Sequence, residues 1–188
     1  MRKPCLSLAL SVAALAFLSP IQLPAAEEAE SPTPDSPAIQ KLEQNLKELS
    51  GQLPSQSHTM ADVAYHFGNL WFAARAKNWP LAEFYVNETR SHLRWAVRVR
   101  PVRPLAGGGQ LRLADMLAAI EQTTLKEVQD SVRAQDPKRF STAYRQMLAG
   151  CYSCHVAAEK PWLRLHIPER PPETMVEFDA TKPGSPQK

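Results

Sequence analysis

Two thiols and an imidazole stand close together near the carboxyl end of the sequence. Two residues separate Cys151 from Cys154, and His155 follows the second cysteine directly. Residues three apart are neighbours on one face of a helix, so both thiols can reach the same planar group. The spacing Cys-x-x-Cys-His is the attachment signature of c-type haem. We therefore expect one covalent haem c, bound by two thioethers, with His155 as the proximal ligand of the iron.

Other chemistries also use paired cysteines, but each lacks a companion feature in this sequence. A thioredoxin-like redox pair belongs with a βαβ pattern, which the chain does not show. Structural zinc takes four ligands, and no second ligand pair stands at a suitable spacing. A disulfide that closes so short a loop would add little stability. Haem attachment is the interpretation that uses all three side chains.

The first residues have the pattern of a secretory signal. Arg2 and Lys3 precede an apolar run over residues 6–18, and small residues follow at 25–26. The run is too short to span a bilayer, and no other segment has the roughly 20 apolar residues that a membrane helix needs. We expect a signal peptide over residues 1–26, a periplasmic protein and no membrane insertion.

Removal of such a signal would change both the charge and the cysteine content. The chain has 22 Lys and Arg against 19 Asp and Glu, a net charge of +3, and Arg2 and Lys3 lie in the signal. The nearly neutral remainder does not point to a nucleic-acid partner. Cys5 also lies in the signal, so Cys151 and Cys154 would remain in an oxidising compartment and share one task.

Apolar residues at helical spacing predict four long helices, over residues 58–77, 80–99, 110–134 and 137–160. Pro80 and the pair Asp136 and Pro137 are residues that begin helices. The first and third connections are short, so the helices they join should be antiparallel. We expect an all-α fold, specifically an up-down-up-down four-helix bundle.

The segments around this bundle have different compositions. Residues 27–57 begin with an acidic, proline-rich stretch and continue into a short amphipathic helix over 38–50. The prolines and glycines of the loop 100–109 exclude regular structure there. Residues 161–188 form a proline-rich, extended tail in which Met175, Val176 and Phe178 are the main packing residues. The sequence thus predicts four segments: the signal peptide (1–26), the lead-in with its short helix (27–57), the haem-binding four-helix bundle (58–160) and the proline-rich tail (161–188).

A Cys-x-x-Cys-His motif on the last helix of an exported bundle resembles the class II c-type cytochromes, the group of cytochrome c′ and cytochrome c-556. The resemblance covers about residues 58–160, and only Cys151, Cys154 and His155 carry over residue by residue. It implies either six-coordinate iron, usually with methionine from the first bundle helix, or five-coordinate iron with an apolar open face. It is also compatible with a homodimer. The extra helix, the long loop and the tail depart from the family pattern.

The sequence leaves three alternatives for the second axial position of the iron: His66, Met60 or no protein ligand. His66 ranks first, because a haem attached near the end of the last helix should cross the first helix a few turns from its start. Met60 lies near the centre of the apolar stripe and is the alternative. A vacant distal site follows closely. For the negative propionates of a haem, the candidate partners are Arg75, Arg94, Arg145 and Arg164.

The expected function is electron transfer with redox partner proteins, because the sequence predicts a covalent haem but shows no group of catalytic residues beside it. The alternative is a five-coordinate protein that binds nitric oxide or carbon monoxide, with Phe67, Leu70 and Trp71 as an apolar wall. An enzyme would need an acid or base over the haem, from His66 or Glu88. We consider this third class the least favoured.

Overall fold

The computed structural model describes residues 36–173 and 175–182. The signal peptide and the acidic stretch that the sequence predicts before residue 36 lie outside the described residues. Within the described residues, the chain divides into two units between Leu46 and Lys47. All elements that surround the cysteine pair belong to the second unit.

In its described part the chain is mostly helical, with one small sheet. The helices are α1 (Pro37–Gln52), α2 (Gln56–Arg75), α3 (Trp79–Val99), α4 (Leu113–Gln122), α5 (Thr124–Arg133) and α6 (Pro137–Ala157), and the strands are β1 (Val102–Pro104) and β2 (Gln110–Arg112). The prediction of an all-α fold is therefore confirmed. None of the described helices combines the length and the apolar character needed to cross a membrane.

Three helices begin at polar residues whose side chains accept hydrogen bonds from the first turn. Ser55 does so at α2, Asn78 at α3 and Asp136 at α6. Pro80 and Pro137 occupy first-turn positions, where a missing N–H costs nothing. The helix starts are thus determined by local chemistry. The start of α2 is two residues earlier than the sequence predicts, because Ser55 is its cap.

The prediction of one helix over residues 110–134 is wrong. The chain breaks at Thr123, where φ is −119° and ψ is −96°, and two shorter helices result. The hydroxyl of Thr123 donates to the carbonyl of Ala119 at 2.7 Å. Threonine hydroxyls compete for backbone partners in this way, which weakens a helix interior. The first three residues of the predicted helix belong to β2 instead.

The prediction that loop 100–109 excludes regular structure is also wrong. Strands β1 and β2 pair antiparallel, with Val102 opposite Arg112 and Pro104 opposite Gln110. The connection contains Gly108 and Gly109, whose φ values are +90° and +84°. Only glycine adopts such angles without a steric cost. The glycines therefore make the turn of a short hairpin rather than an irregular loop.

The core holds α2 and α6 together through aromatic side chains. Phe67 of α2 stacks on Tyr144 of α6, with ring centroids 4.2 Å apart and planes 8° from parallel. The Tyr144 hydroxyl also donates to the carbonyl of Phe67 at 3.0 Å. Both side chains are buried. Since Tyr144 lies seven residues before Cys151, these contacts place the cysteine pair of α6 beside α2.

The tail packs on the helices at more points than the sequence predicts. Phe178 lies near the rings of Phe72 and Tyr85, at centroid distances of 6.2 and 6.3 Å. Ile167 also packs against the core. Met175, in contrast, is 92% exposed, so its predicted packing role is wrong.

The tail crosses α2 at one close approach. A Cβ added to Gly68 would lie 2.8 Å from Cγ of Pro172, so only glycine allows the tail to lie this close. The next residue of the tail, Glu173, donates its backbone N–H to Oδ1 of Asn69 at 3.0 Å. Its carboxylate accepts a hydrogen bond from Tyr65, and this bond is the main reason that the Tyr65 pKa is raised to about 12. The tail therefore forms a strap over α2.

Candidate functional site

A cavity of about 800 Å³ lies where α2, α3, α4, α6 and the tail meet. Its walls are largely apolar and include Phe67, Leu93 and Leu117. Pockets that hold small molecules and cofactors are of this size and composition. Cys151, Cys154 and His155 all line this cavity, so the fold places the sequence motif at a largely apolar cavity.

Cys151 and Cys154 stand near the carboxyl end of α6, and both are free thiols. Burial raises the pKa of Cys151 to about 12 and also raises that of Cys154. Redox-active pairs of the Cys-x-x-Cys type need a lowered pKa, because the thiolate is the nucleophile. The raised pKa values therefore disfavour the thiolate on which disulfide exchange depends.

His155 is oriented by the tail. Its Nδ1 lies 3.0 Å from the carbonyl oxygen of Leu163. A carbonyl can only accept, so a hydrogen bond here requires the proton on Nδ1 and leaves the lone pair on Nε2. The tail reaches this position because α6 ends in a tight turn, in which Lys160 N donates to the carbonyl of His155 at 2.8 Å and Glu159 has a φ of 59°. Nε2 is thus the nitrogen prepared for a metal.

Two methionine side chains line the same cavity. Met60, on the second turn of α2, is half-buried. Met147 is fully buried, and its Sδ lies 3.3 Å from the hydroxyl oxygen of Thr124. Met147 also shares α6 with the cysteines, one turn before Cys151. Met60 is therefore the cavity-lining thioether that comes from a different helix.

The structure does not bring His66 to the cavity. His66 contacts His92 of α3 instead, with ring centroids 4.6 Å apart, and it lies near Glu88. Burial lowers the His66 pKa, and the neighbouring His92 lowers it further. Of the two predicted distal candidates, only Met60 shares a cavity with the cysteines. Of the three predicted wall residues, Phe67 lines the cavity and Leu70 and Trp71 do not.

The cationic groups at the cavity differ from those considered in the sequence. Arg103 of β1 and Lys160 after α6 line it, and Arg103 Nε donates to the carbonyl of Ala158 at 2.9 Å. None of the four predicted arginines lines it: Arg75 lies over the Trp71 ring, Arg94 pairs with Glu121, Arg145 bonds Ser141, and Arg164 lies on the tail. The proline and arginine pattern near residue 103 is basic, but nothing in it shows that the hairpin folds onto α6.

His166, on the tail, is a further cavity-lining residue. Its Nδ1 lies 2.9 Å from the carbonyl oxygen of Ile167. The same donor argument as for His155 then leaves its Nε2 lone pair available. No sequence signal distinguishes this histidine, because its place depends on how the tail docks.

The cavity residues fit a covalent haem c. Two free thiols three residues apart, an imidazole whose Nε2 lone pair is available and a largely apolar cavity are the groups that such a cofactor requires. The cations of Arg103 and Lys160 among the lining residues suit its propionates. The fit depends on the donor set and on the shared cavity.

Comparisons with known proteins give no assignment for this chain. No family model, no curated protein and no solved structure matches it. Its function is therefore inferred from the chemistry of the cavity.

Proposed function

We propose that this protein is a c-type cytochrome of the class II kind that transfers electrons. Cys151 and Cys154 would hold one haem c by thioether bonds, and His155 would be its proximal ligand. The observation that carries the proposal is that these three residues line one apolar cavity together with Met60, a thioether from another helix. The haem, when bound, supplies an iron that takes up and releases one electron.

The helices that pack around the cavity support a four-helix bundle as the scaffold. In this proposal α2, α3 and α6 are three members, and α4 with α5 together make the fourth, interrupted at Thr123. Contacts of α2 with α3, of α3 with α5, of α5 with α6 and of α2 with α6 are those of neighbouring bundle members. The helix α1 would be an addition before the bundle.

Each cavity residue has a separate task in this proposal. The carbonyl of Leu163 holds the proton of His155 on Nδ1, so Nε2 would be the nitrogen available to the iron. Hydrogen bonding of a ligand's second nitrogen fixes both its tautomer and its orientation. Met60 would supply the distal sulfur, and a thioether ligand favours the reduced state. Arg103 and Lys160 would bind the propionates and position the cofactor at the rim.

The apolar lining also supports a second function, reversible binding of nitric oxide or carbon monoxide. Phe67 and Leu117 offer no hydrogen bond to a bound gas, and they restrict the space at the cavity wall. This function requires that neither Met60 nor His166 ligates the iron. The state of the sixth coordination position therefore distinguishes the two functions.

The test is an absorption spectrum of the protein produced in a bacterial host that carries out cytochrome c maturation. The haem should resist extraction with acidified acetone, and a Cys151→Ser and Cys154→Ser double variant should lose it. A sharp, split reduced band would support electron transfer, because it indicates six-coordinate iron. A broad band that carbon monoxide shifts would support gas binding. A full chain that is colourless after maturation would refute both.

The site of action in this proposal is the periplasm. The signal pattern of residues 1–26 supports export. In an exported protein, covalent attachment prevents loss of the cofactor to the surrounding medium. Fractionation of cells that produce the full chain tests this: haem staining should follow the periplasmic fraction. Material that stays in the cytoplasm with its first 26 residues would contradict it.

A further inference from the structure

We propose that His66, Glu88 and His92 form a binding site for a divalent transition-metal ion, represented here by Zn²⁺, on the side of the α2–α3 pair. None of the three residues lines the cavity described above. The site is independent of the haem proposal, and it gives His66 a role other than that of a haem ligand.

The three side chains converge from two helices. His66 lies on α2, whereas Glu88 and His92 are four residues apart on α3 and so share one helix face. One ligand atom from each residue lies within 4.8 Å of the others. His92 Nε2 is 3.7 Å from a carboxylate oxygen of Glu88. The cluster is half-buried, so water can complete the coordination of an ion.

Two nitrogen atoms of the cluster have no hydrogen-bond partner. Nδ1 of His66 and Nδ1 of His92 are both buried and unpaired within the part of the chain that the structure describes. Burial of a polar atom without a partner is unfavourable. The two imidazole rings also lie close together, with centroids 4.6 Å apart and planes tilted by 31°. A cation bound to Nδ1 of His66 would supply the missing partner of that atom, whereas Nδ1 of His92 faces the carboxylate of Asp62 at 3.7 Å.

Asp62 completes the arrangement from outside. Its Oδ2 lies 3.7 Å from Nδ1 of His92, opposite the Nε2 that faces Glu88. Metal-bound histidines commonly donate their second N–H to a carboxylate. Asp62 is therefore placed to orient His92, and its charge adds to that of Glu88 in balancing a dication.

Two imidazoles and one carboxylate are the ligands of many zinc sites with an open position, and also of some iron(II) sites. With metal–ligand bonds of about 2.0–2.2 Å, tetrahedral neighbours are roughly 3.3 Å apart. The donor atoms here are within 4.8 Å of one another, so a pair at that limit must approach by about 1.5 Å to bind one ion. The ion would join α2 to α3 in the way that a crosslink does.

The test is a zinc titration of the full, haem-loaded protein against a fluorescent chelator. We expect one zinc per chain, with at least a tenfold loss of affinity in Glu88→Gln and in His92→Gln. Asp62→Asn should weaken binding by about 10- to 100-fold through the orientation of His92. Matched controls are Glu83→Gln on α3 and His58→Gln on α2, which should bind zinc as the parent does.

Thermal unfolding provides a second measurement. At a zinc concentration about 100 times the dissociation constant, the ion should raise the Tm by roughly 5–10 °C. The rise should be absent from His92→Gln, even if that variant has a lower Tm without zinc. A parent protein that shows no zinc-dependent rise would overturn the proposal.

The visible spectrum separates this site from the haem. His66→Gln should abolish tight zinc binding and leave the haem spectrum unchanged. A changed spectrum would place His66 on the iron and overturn the proposal. Zinc binding that survives both His66→Gln and His92→Gln would also overturn it. If no haem attaches, the same titration in the Cys151→Ser and Cys154→Ser double variant should still give one zinc, and loss of zinc there would refute the site.

Discussion

The close approach of the tail to α2 predicts an unusual response to Gly68→Ala. In most helix interiors this change stabilises a protein, because alanine is the better helix former. Here the new Cβ would lie 2.8 Å from Cγ and 3.3 Å from Cδ of Pro172. Either the tail or α2 must shift, and both residues line the cavity. We therefore expect Gly68→Ala to lower the free energy of unfolding.

The size of the effect follows from two opposing contributions. The helix preference of alanine over glycine stabilises by about 0.8–1 kcal/mol. Overpacking against a well-packed neighbour costs about 1–3 kcal/mol. The net loss should be about 1 kcal/mol. In a Pro172→Ala background Cγ and Cδ are gone, so Gly68→Ala should instead stabilise by about 0.8–1 kcal/mol.

Urea unfolding of the four proteins of this cycle, followed by helical circular dichroism, measures the coupling directly. Gly51→Ala is the control, because a Cβ at that helical position meets nothing within 4 Å. It should not destabilise. If Gly68→Ala stabilises equally with and without Pro172, the two effects are additive. The tail would then not lie against α2, and the orientation of His155 by Leu163 would lose its support.

Three further predictions concern the cavity. Met60→Leu should convert the sharp reduced absorption band of the haem into a high-spin band. The control Met116→Leu, outside the cavity lining, should leave the band unchanged. An unchanged spectrum in Met60→Leu would mean that His166 or no residue is the distal ligand. Arg103→Gln should lower the reduction potential by about tens of millivolts, measured by spectroelectrochemistry, because it removes a cation near the haem; an unchanged potential would contradict its place at the cavity. Tyr144→Phe should cost about 1 kcal/mol in urea unfolding through loss of the bond to Phe67. Its control is Tyr152→Phe, at an exposed bond to Pro161, and equal costs would refute the argument.

Much of the helical structure could be predicted because its signals are local. Asp136 acts as a helix cap, and Pro80 and Pro137 lie in the first turns, in agreement with the sequence analysis. These signals depend on residues within one turn of each other. The break at Thr123 was missed because the apolar stripe continues through it, and periodicity does not report a backbone angle.

The hairpin and the tail could not be predicted for a different reason. Strands of three residues have little pairing energy of their own. The hairpin is anchored where Arg103 bonds Ala158 and where the N–H of Ala106 donates to Glu159 at 2.8 Å. These partners are more than fifty residues away in the chain. No local pattern contains such a contact.

The sequence by itself determined the Cys-x-x-Cys-His part of the site. Cys151, Cys154 and His155 are adjacent in the chain, so their proximity needs only a helix. Only the tertiary structure decided what faces them. Met60 and His66 are about 120° apart around α2 at 3.6 residues per turn. Apolar residues lie on both of these faces, so the sequence pattern does not show which face meets the cavity. The packing of the other helices and the tail on α2 places Met60 at the cavity and His66 against His92 of α3, outside the cavity lining, because side chains about 120° apart on a helix meet different neighbours.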